Sequence, residues 1–283
     1  MKECNLYKPY KNIVMCTACP NNCIISDGKT GLCGVRKNIN GKLFLLVNEF
    51  PVAMHVDPIE KKPLYKFMPN TKTFSFGTIG CNLRCAFCQN YDISQERSIL
   101  GQKYTAEKIV GLALQNGCKS ISYTYNEPTI FIEFVKEVAT LAKKAGLKNI
   151  MVTNGYFTKE ALNFIAPDID AMNIDLKSFS DDFYVKQSGA KLKHVLDSIK
   201  RVHKKKIHIE ITTLIIPREN DSKEELESIA KFIASVDKNI PWHISRFYPM
   251  YKMKDRKHTD IKSLEKAYNI GKKYLEHVYL GNI

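Results

Sequence analysis

From Thr73 onward, short apolar runs rich in β-branched residues alternate with stretches whose apolar positions recur every three or four residues. The runs "TFSFGTIG", "SISYTYNEP", "NIMVTNGY", "AMNIDLKS", "IHIEITTLIIP" and "WHISRF" predict strands. Helical periodicity fills the gaps, as in "TAEKIVGLALQNG" and in "TIFIEFVKEVATLAKKAG", which closes at Gly146 as a helix C-cap should. "SKEELESIAKFIAS" opens with Ser222 and Glu225 at capping-box spacing. Six β/α units in succession predict an α/β fold, a parallel sheet with helices outside it. An open doubly wound sheet and a partial barrel both meet that pattern. No GxGxxG follows the first strand, so the dinucleotide-binding sheet loses support. Polar residues gather instead at strand C-terminal ends: a cysteine loop, Asn126-Glu127, Asn154 and Asp175-Leu176-Lys177. Barrels carry their active sites on that rim. Residues 73–283 are therefore expected to form a partial (β/α)6 barrel.

Residues 1–72 break the rhythm. They hold four clustered cysteines, then "GKLFLLVNEFPVAMHVD", which reads as a strand pair, then "PIEKKPLYKFMPN". A small cysteine-rich N-terminal module leading into the barrel is expected. Neither an internal repeat nor a low-complexity segment is evident.

Composition narrows the class. The 44% hydrophobic content of this 283-residue chain can bury a full core. "MKECNLYKPYKNIV" lacks the apolar segment of a signal peptide, and "IHIEITTLII" is too short and polar to span a bilayer. A cytoplasmic protein with no membrane partner is expected. Seven of nine cysteines fall in two tight clusters, which favours metal binding over a secreted disulfide scaffold. The net charge of +14 leaves room for an acidic partner or nucleic acid. The densest basic run, Lys191 to Lys206, carries Val195, Leu196, Ile199 and Val202 at helical spacing. It reads first as an amphipathic helix with a solvated lysine face, so nucleic acid is not favoured.

The stretch "GTIGCNLRCAFCQNYDIS" places Cys81, Cys85 and Cys88 within eight residues, with Gly77 and Gly80 easing a tight path. A structural zinc site closes with four ligands. A cubane [4Fe-4S] cluster takes one thiolate per iron, so three cysteines leave one iron open for a small molecule. The competing reading is a structural site completed by a distant thiol. Cys118, in "QNGCKS", is the one unclustered cysteine in the barrel region, and its setting predicts a buried, inert thiol.

The spacing C-x3-C-x2-C, with aromatic Phe87 before the last cysteine on the loop after the first strand, resembles the radical S-adenosylmethionine (SAM) superfamily. That resemblance implies a [4Fe-4S] cluster on Cys81, Cys85 and Cys88 whose open iron chelates SAM. It implies reductive cleavage of SAM to a 5′-deoxyadenosyl radical for hydrogen abstraction. No catalytic residue beyond the cluster and SAM is implied. The superfamily's Gly-Gly-Glu-Pro element corresponds to Tyr125, Asn126, Glu127 and Pro128. "DLK" (Asp175 to Lys177), "TNG" (Thr153 to Gly155) and "IIP" (Ile215 to Pro217) resemble the pyruvate formate-lyase activating enzymes. The SAM contacts implied are Phe87, Asn126, Glu127, Asn154, Asp175, Lys177 and His243. His243 reads equally as a satisfied core histidine, and Arg246 should face the other way along the same strand.

Over nearly the whole chain, "CTACPNNC…GLCGVRKNINGKL", "VDPIEKKPLYKFMP", "YTYNEPTIFIEF" and "VTNGY" are similar to the AmmeMemoRadiSam-system radical SAM enzymes. Members of that group carry a further cysteine-bearing tail, where this sequence reads "VYLGNI". The resemblance implies an anaerobic oxidoreductase of the glycyl-radical-activating type. It also implies an electron donor of flavodoxin or ferredoxin type and a protein substrate. Radical modification of RNA or a small molecule, and a non-enzymatic metal-binding or electron-transfer protein, are the alternatives.

Cys16, Cys19, Cys23 and Cys33 follow C-x2-C-x3-C-x9-C, with Gly28, Gly31 and Gly34 permitting the turns that bring them together. Four thiolates close a tetrahedral zinc site or fully ligate a second iron–sulfur cluster. The spacing leaves both open. Cys4 has no evident partner.

Overall fold

A computed structural model describes every residue except Leu100. Six short strands open the chain: β1 (Lys2–Glu3), β2 (Tyr7–Tyr10), β3 (Ile13–Cys16), β4 (Ile24–Ser26), β5 (Arg36–Ile39) and β6 (Lys42–Leu45). They form two small sheets, ordered β1-β6-β5 and β2-β3-β4. The strand pair expected over residues 41–57 is not a pair. Its first half, β6, pairs with β5, and its second half, β7 (Ala53–Pro58), runs antiparallel to β8 (Lys72–Gly77). A division at residues 72 and 73 thus separates β7 from its partner strand.

From β8 the chain runs through α1 (Tyr91–Ser94), α2 (Ala106–Gln115), β9 (Ser120–Tyr123), α3 (Ile132–Lys144), β10 (Lys148–Thr153), α4 (Lys159–Ile165) and β11 (Ala171–Asp175). It continues through α5 (Asp181–Phe183), α6 (Leu192–Lys204), β12 (His208–Ile215), α7 (Lys223–Val236), β13 (Trp242–Arg246), α8 (Ile261–Gly271) and β14 (Val278–Gly281). The eight-stranded sheet has the order β14-β13-β12-β11-β10-β9-β8-β7, all parallel from β8 to β14. The six expected strands are β8 to β13; β14 is a seventh parallel strand that the sequence patterning did not reveal.

Local chemistry accounts for the helix ends. Thr105 Oγ1 accepts from Lys108 N to cap α2, and Gly146 adopts φ +78° just past the end of α3. Ser222 Oγ accepts from Glu225 N as expected, but the Glu225 carboxylate turns to the Ser178 hydroxyl and Phe179 N. Only half of the capping box forms. In α6, Leu192, Val195, Ile199 and Val202 are buried and Leu196 is half-buried, while Lys193, Lys200 and Lys204 are exposed. Residues of β7, of the loops after β8 and β9, and of β10 to β14 all border one cavity of ≈ 960 Å³, so the sheet curves around it. Among the described residues no helix is long and apolar enough to cross a membrane.

Candidate metal and cofactor site

β8 stops at Gly77 because the next turn must pass hard against the end of β9. A Cβ on Gly77 would stand 2.4 Å from the Thr124 carbonyl oxygen, and one on Gly80 (φ +84°) 2.4 Å from that of Cys33. The loop is then fastened on several sides. Arg84 N and Ala86 N donate to Ser188 O and Gln187 O at 2.9 and 2.8 Å. Asn126 accepts from Thr78 N through Oδ1, and its Nδ2 donates to Thr78 Oγ1, Ile79 O and Gly80 O. Asn126 therefore spends its side chain bracing the cysteine loop.

Cys81, Cys85 and Cys88 all line the cavity. Leu83 N donates to Cys81 Sγ (3.4 Å), Cys85 Sγ lies 3.5 Å from Ser188 Oγ, and Cys88 Sγ 3.2 Å from Ser94 Oγ. Burial pushes the Cys81 and Cys85 thiols up; Cys85 and Glu127 add to it at Cys81, and Lys177 opposes it at Cys85. Without a bound cation such thiols stay protonated at neutral pH. Among the described residues no three His, Cys, Asp or Glu side chains stand in the geometry of a single metal ion. A cubane does not ask for that, because each thiolate binds a different iron. Three separated thiols opening on one large cavity fit the group.

Glu127 is buried, and Oε1 accepts from Thr129 N (3.0 Å), Thr129 Oγ1 (2.6 Å) and Thr153 Oγ1 (2.8 Å). Oε2 accepts from Asn154 N alone (2.8 Å), which leaves it acceptor capacity. Burial raises the carboxyl pKa despite these donors. Asn154 closes a clasp to the cysteine loop: Nδ2 donates to Asn82 Oδ1 at 2.9 Å, and its own Oδ1 accepts from Tyr156 N. Asp175, at the end of β11, is the most open carboxylate of the expected set, with 37% of its side chain exposed. Lys177 Nζ holds it at 2.8 Å and lies 5.8 Å from the centre of the Phe87 ring. Burial works against the Lys177 charge, yet the Asp175 carboxylate holds its pKa above the usual lysine range. Phe87 itself is buried against Phe183.

His243 borders the cavity floor, but its Nε2 is committed to Glu210 Oε2 at 2.6 Å and its ring stacks on Tyr279. Arg246 points elsewhere, donating from Nε to Thr259 O. Glu210 also accepts from Tyr65 N, Lys66 N and His208 Nε2. Burial alone would raise its carboxyl, but hydrogen bonds from His208 and His243 prevail and hold it at about 2.

The rim contains one group that sequence reasoning missed. Tyr125 OH donates to Asp57 Oδ2 (3.0 Å) and meets His55 Nδ1 (3.0 Å), and Lys62 Nζ donates to Asp57 Oδ2 (2.8 Å). Burial would raise Asp57, but the Lys62 hydrogen bond wins and holds it at about 2. Tyr125 has φ +69°, the left-handed region glycine favours. That backbone is clamped by Asn90 Nδ2, which donates to Tyr125 O at 2.7 Å. Its partners come from β7 and the turn after it, some 65 residues upstream, so no local motif could have pointed to them.

Cys16, Cys19, Cys23 and Cys33 lie outside the large cavity and line a small one of ≈ 20 Å³ with Ala18, Ile25, Leu32 and Ile130. Cys4 is buried beside this module and Cys118 is buried in the barrel.

Comparison with known proteins agrees with this geometry. The chain is 42% identical to an uncharacterised protein of Methanocaldococcus jannaschii, across 100% of this chain and 86% of that one. It is 26% identical to the pyruvate formate-lyase-activating enzyme of Clostridium pasteurianum, covering 66% of this chain and 82% of that enzyme. The fold matches Streptococcus suis SuiB bound to its precursor peptide SuiA with a TM-score of 0.59 and 16% identity, over 74% of this chain and 48% of SuiB. The model of the radical SAM superfamily matches residues 76–233, from the end of β8 into α7. The chain belongs to the radical SAM superfamily.

Proposed function

We propose that the protein is a radical SAM enzyme of the activating type, which abstracts a hydrogen atom from a protein or peptide. The observation that carries this reading is the meeting of Cys81, Cys85, Cys88, Asp175 and Lys177 on one cavity of ≈ 960 Å³. That volume accommodates a cofactor of SAM size with room for a substrate segment. Cys81, Cys85 and Cys88 hold the cluster. With SAM bound and one electron delivered by an external donor, the cluster would supply a 5′-deoxyadenosyl radical, with methionine as the leaving group.

The chain's own residues orient and seclude. Asp175, fixed by Lys177, offers a carboxylate oxygen to the hydroxyl and ammonium donors of SAM. Glu127 Oε2 is the second acceptor with capacity left. Asn126 and Asn154 act one layer back, holding the loop and the end of β10 so that these acceptors and the thiols keep a fixed relation. Phe87 supports Lys177 from beneath. His243 is held at the floor by Glu210 through Nε2.

A peptide-sized target is supported by two similar proteins, an activating enzyme and a peptide-binding enzyme, and the charge of +14 suits an acidic partner. The test is anaerobic incubation of reconstituted protein with dithionite and SAM. Methionine and 5′-deoxyadenosine should appear. Deuterium from a uniformly labelled proteome of the source organism should enter the 5′-deoxyadenosine. Absence of both products refutes the chemistry; products without deuterium transfer from the protein fraction refute the substrate class.

A further inference from the structure

The sequence leaves zinc and an iron–sulfur cluster equally open at Cys16, Cys19, Cys23 and Cys33, and the cavity between them separates the two. A tetrahedral zinc site has Zn–S near 2.3 Å, which sets the sulfurs about 3.8 Å apart. Sulfurs that close leave no space for a water-sized sphere at their centre. Here all four cysteines line one cavity of ≈ 20 Å³ that such a sphere can occupy. Among the described residues no three of them stand in single-ion geometry. Cys81, Cys85 and Cys88 share that property. Four thiols that line one void, with no three at single-ion spacing, match a metal–sulfide core that would give each thiolate its own iron.

The surroundings agree. Leu32 N approaches Cys23 Sγ at 3.5 Å and Arg36 Nη1 approaches Cys16 Sγ at 3.9 Å, donors of the kind that tune cluster sulfurs. Arg36 is buried and paired with Glu133. The site also adjoins the rim. Asn82, the residue after Cys81, lines this cavity, and its carbonyl accepts from Asn21 Nδ2 at 2.9 Å. The Cys33 carbonyl packs on Gly80, the residue before Cys81.

We propose that Cys16, Cys19, Cys23 and Cys33 fully ligate a second cubane [4Fe-4S] cluster, set beside the rim cluster. The proposal does not depend on the protein's substrate or on SAM cleavage. It is tested on the full chain, reconstituted anaerobically with iron and sulfide, desalted and analysed for iron, sulfide and zinc. Wild type should hold about eight iron and eight sulfide per chain and no stoichiometric zinc. The Cys81→Ala/Cys85→Ala/Cys88→Ala variant, which leaves the N-terminal module intact, should keep about four of each. Independently of any variant, fully reduced wild type should show an EPR signal broadened by spin coupling between two neighbouring clusters. One zinc per chain with about four iron would overturn the proposal, as would about four iron with no other metal. A narrow signal from a single cluster would overturn it too.

Discussion

The chain carries two cysteine regions that differ in count, enclosure and setting. At the rim, three half-buried cysteines face a cavity of ≈ 960 Å³ shared with Asp175, Lys177 and Glu127. In the N-terminal module, four cysteines enclose ≈ 20 Å³ lined chiefly by apolar side chains. A complete ligand set in a small apolar space would have no position for a substrate; an incomplete set on a large cavity would have one. Ligand number and access, more than the presence of thiols, separate a reacting centre from a supporting one. The two are fastened together, since Asn82 and Gly80 of the rim loop pack on the module.

The sharpest way to break this comparison is to remove one thiol from the rim. Cys85→Ala should abolish SAM cleavage, whereas Cys118→Ala, a buried thiol outside both regions, should leave it within about twofold. Product analysis by chromatography reads both, and equal loss would erase the distinction. Next in size is the joint between module and barrel. Arg36 donates to Ile130 O at 2.9 Å and pairs with Glu133 of α3, all buried. Arg36→Leu strands a buried carboxylate and should cost about 3–5 kcal/mol in denaturant unfolding. A loss under about 0.5 kcal/mol would show the module to be loosely attached.

Glu210 probes the floor. Its carboxyl falls from an ordinary 4.5 to about 2, so its ionised form stabilises the fold above pH 4.5. That contribution, about 3 kcal/mol, should be lost as pH drops from about 5 toward 2. Glu210→Gln should flatten the acid limb of the stability curve in that window; an unchanged limb would contradict the pairing with His208 and His243. The smallest effect is expected at Asp175. Asp175→Asn should slow SAM cleavage on the order of a hundredfold, as an ångström's misplacement can, while iron content stays at the wild-type level. Normal cleavage would remove Asp175 from the cofactor's contacts.

Much of this was legible in the sequence where local chemistry decides structure. The β-branched runs became β8 to β13, Gly146 closed α3 and Ser222 capped α7, and the cysteine spacing marked the rim loop. What stayed hidden depends on partners far along the chain. β7 looks like any short strand, and only register assigns it to β8 instead of β6. β14 has four residues, too few for a period to emerge. Asn126 and Asn154 line the cavity, but a single sequence cannot say that their amides are already spent on Gly80 and Asn82. His243 needed Glu210, 33 residues upstream, to reveal its commitment. Tyr125 shows the reverse case, where the residue departs from glycine while the backbone at φ +69° does not.

The central claim is that the rim holds a cluster with one open iron that SAM occupies. The most direct measurement is EPR of the reduced, reconstituted full chain before and after SAM, subtracting the signal that survives in the Cys81→Ala/Cys85→Ala/Cys88→Ala variant. The difference spectrum, which carries the rim cluster and its coupling to the neighbouring one, should change on SAM addition, and the signal of the triple variant should not. A difference spectrum unaltered by saturating SAM would mean that the three-cysteine site is closed, and the account would fail.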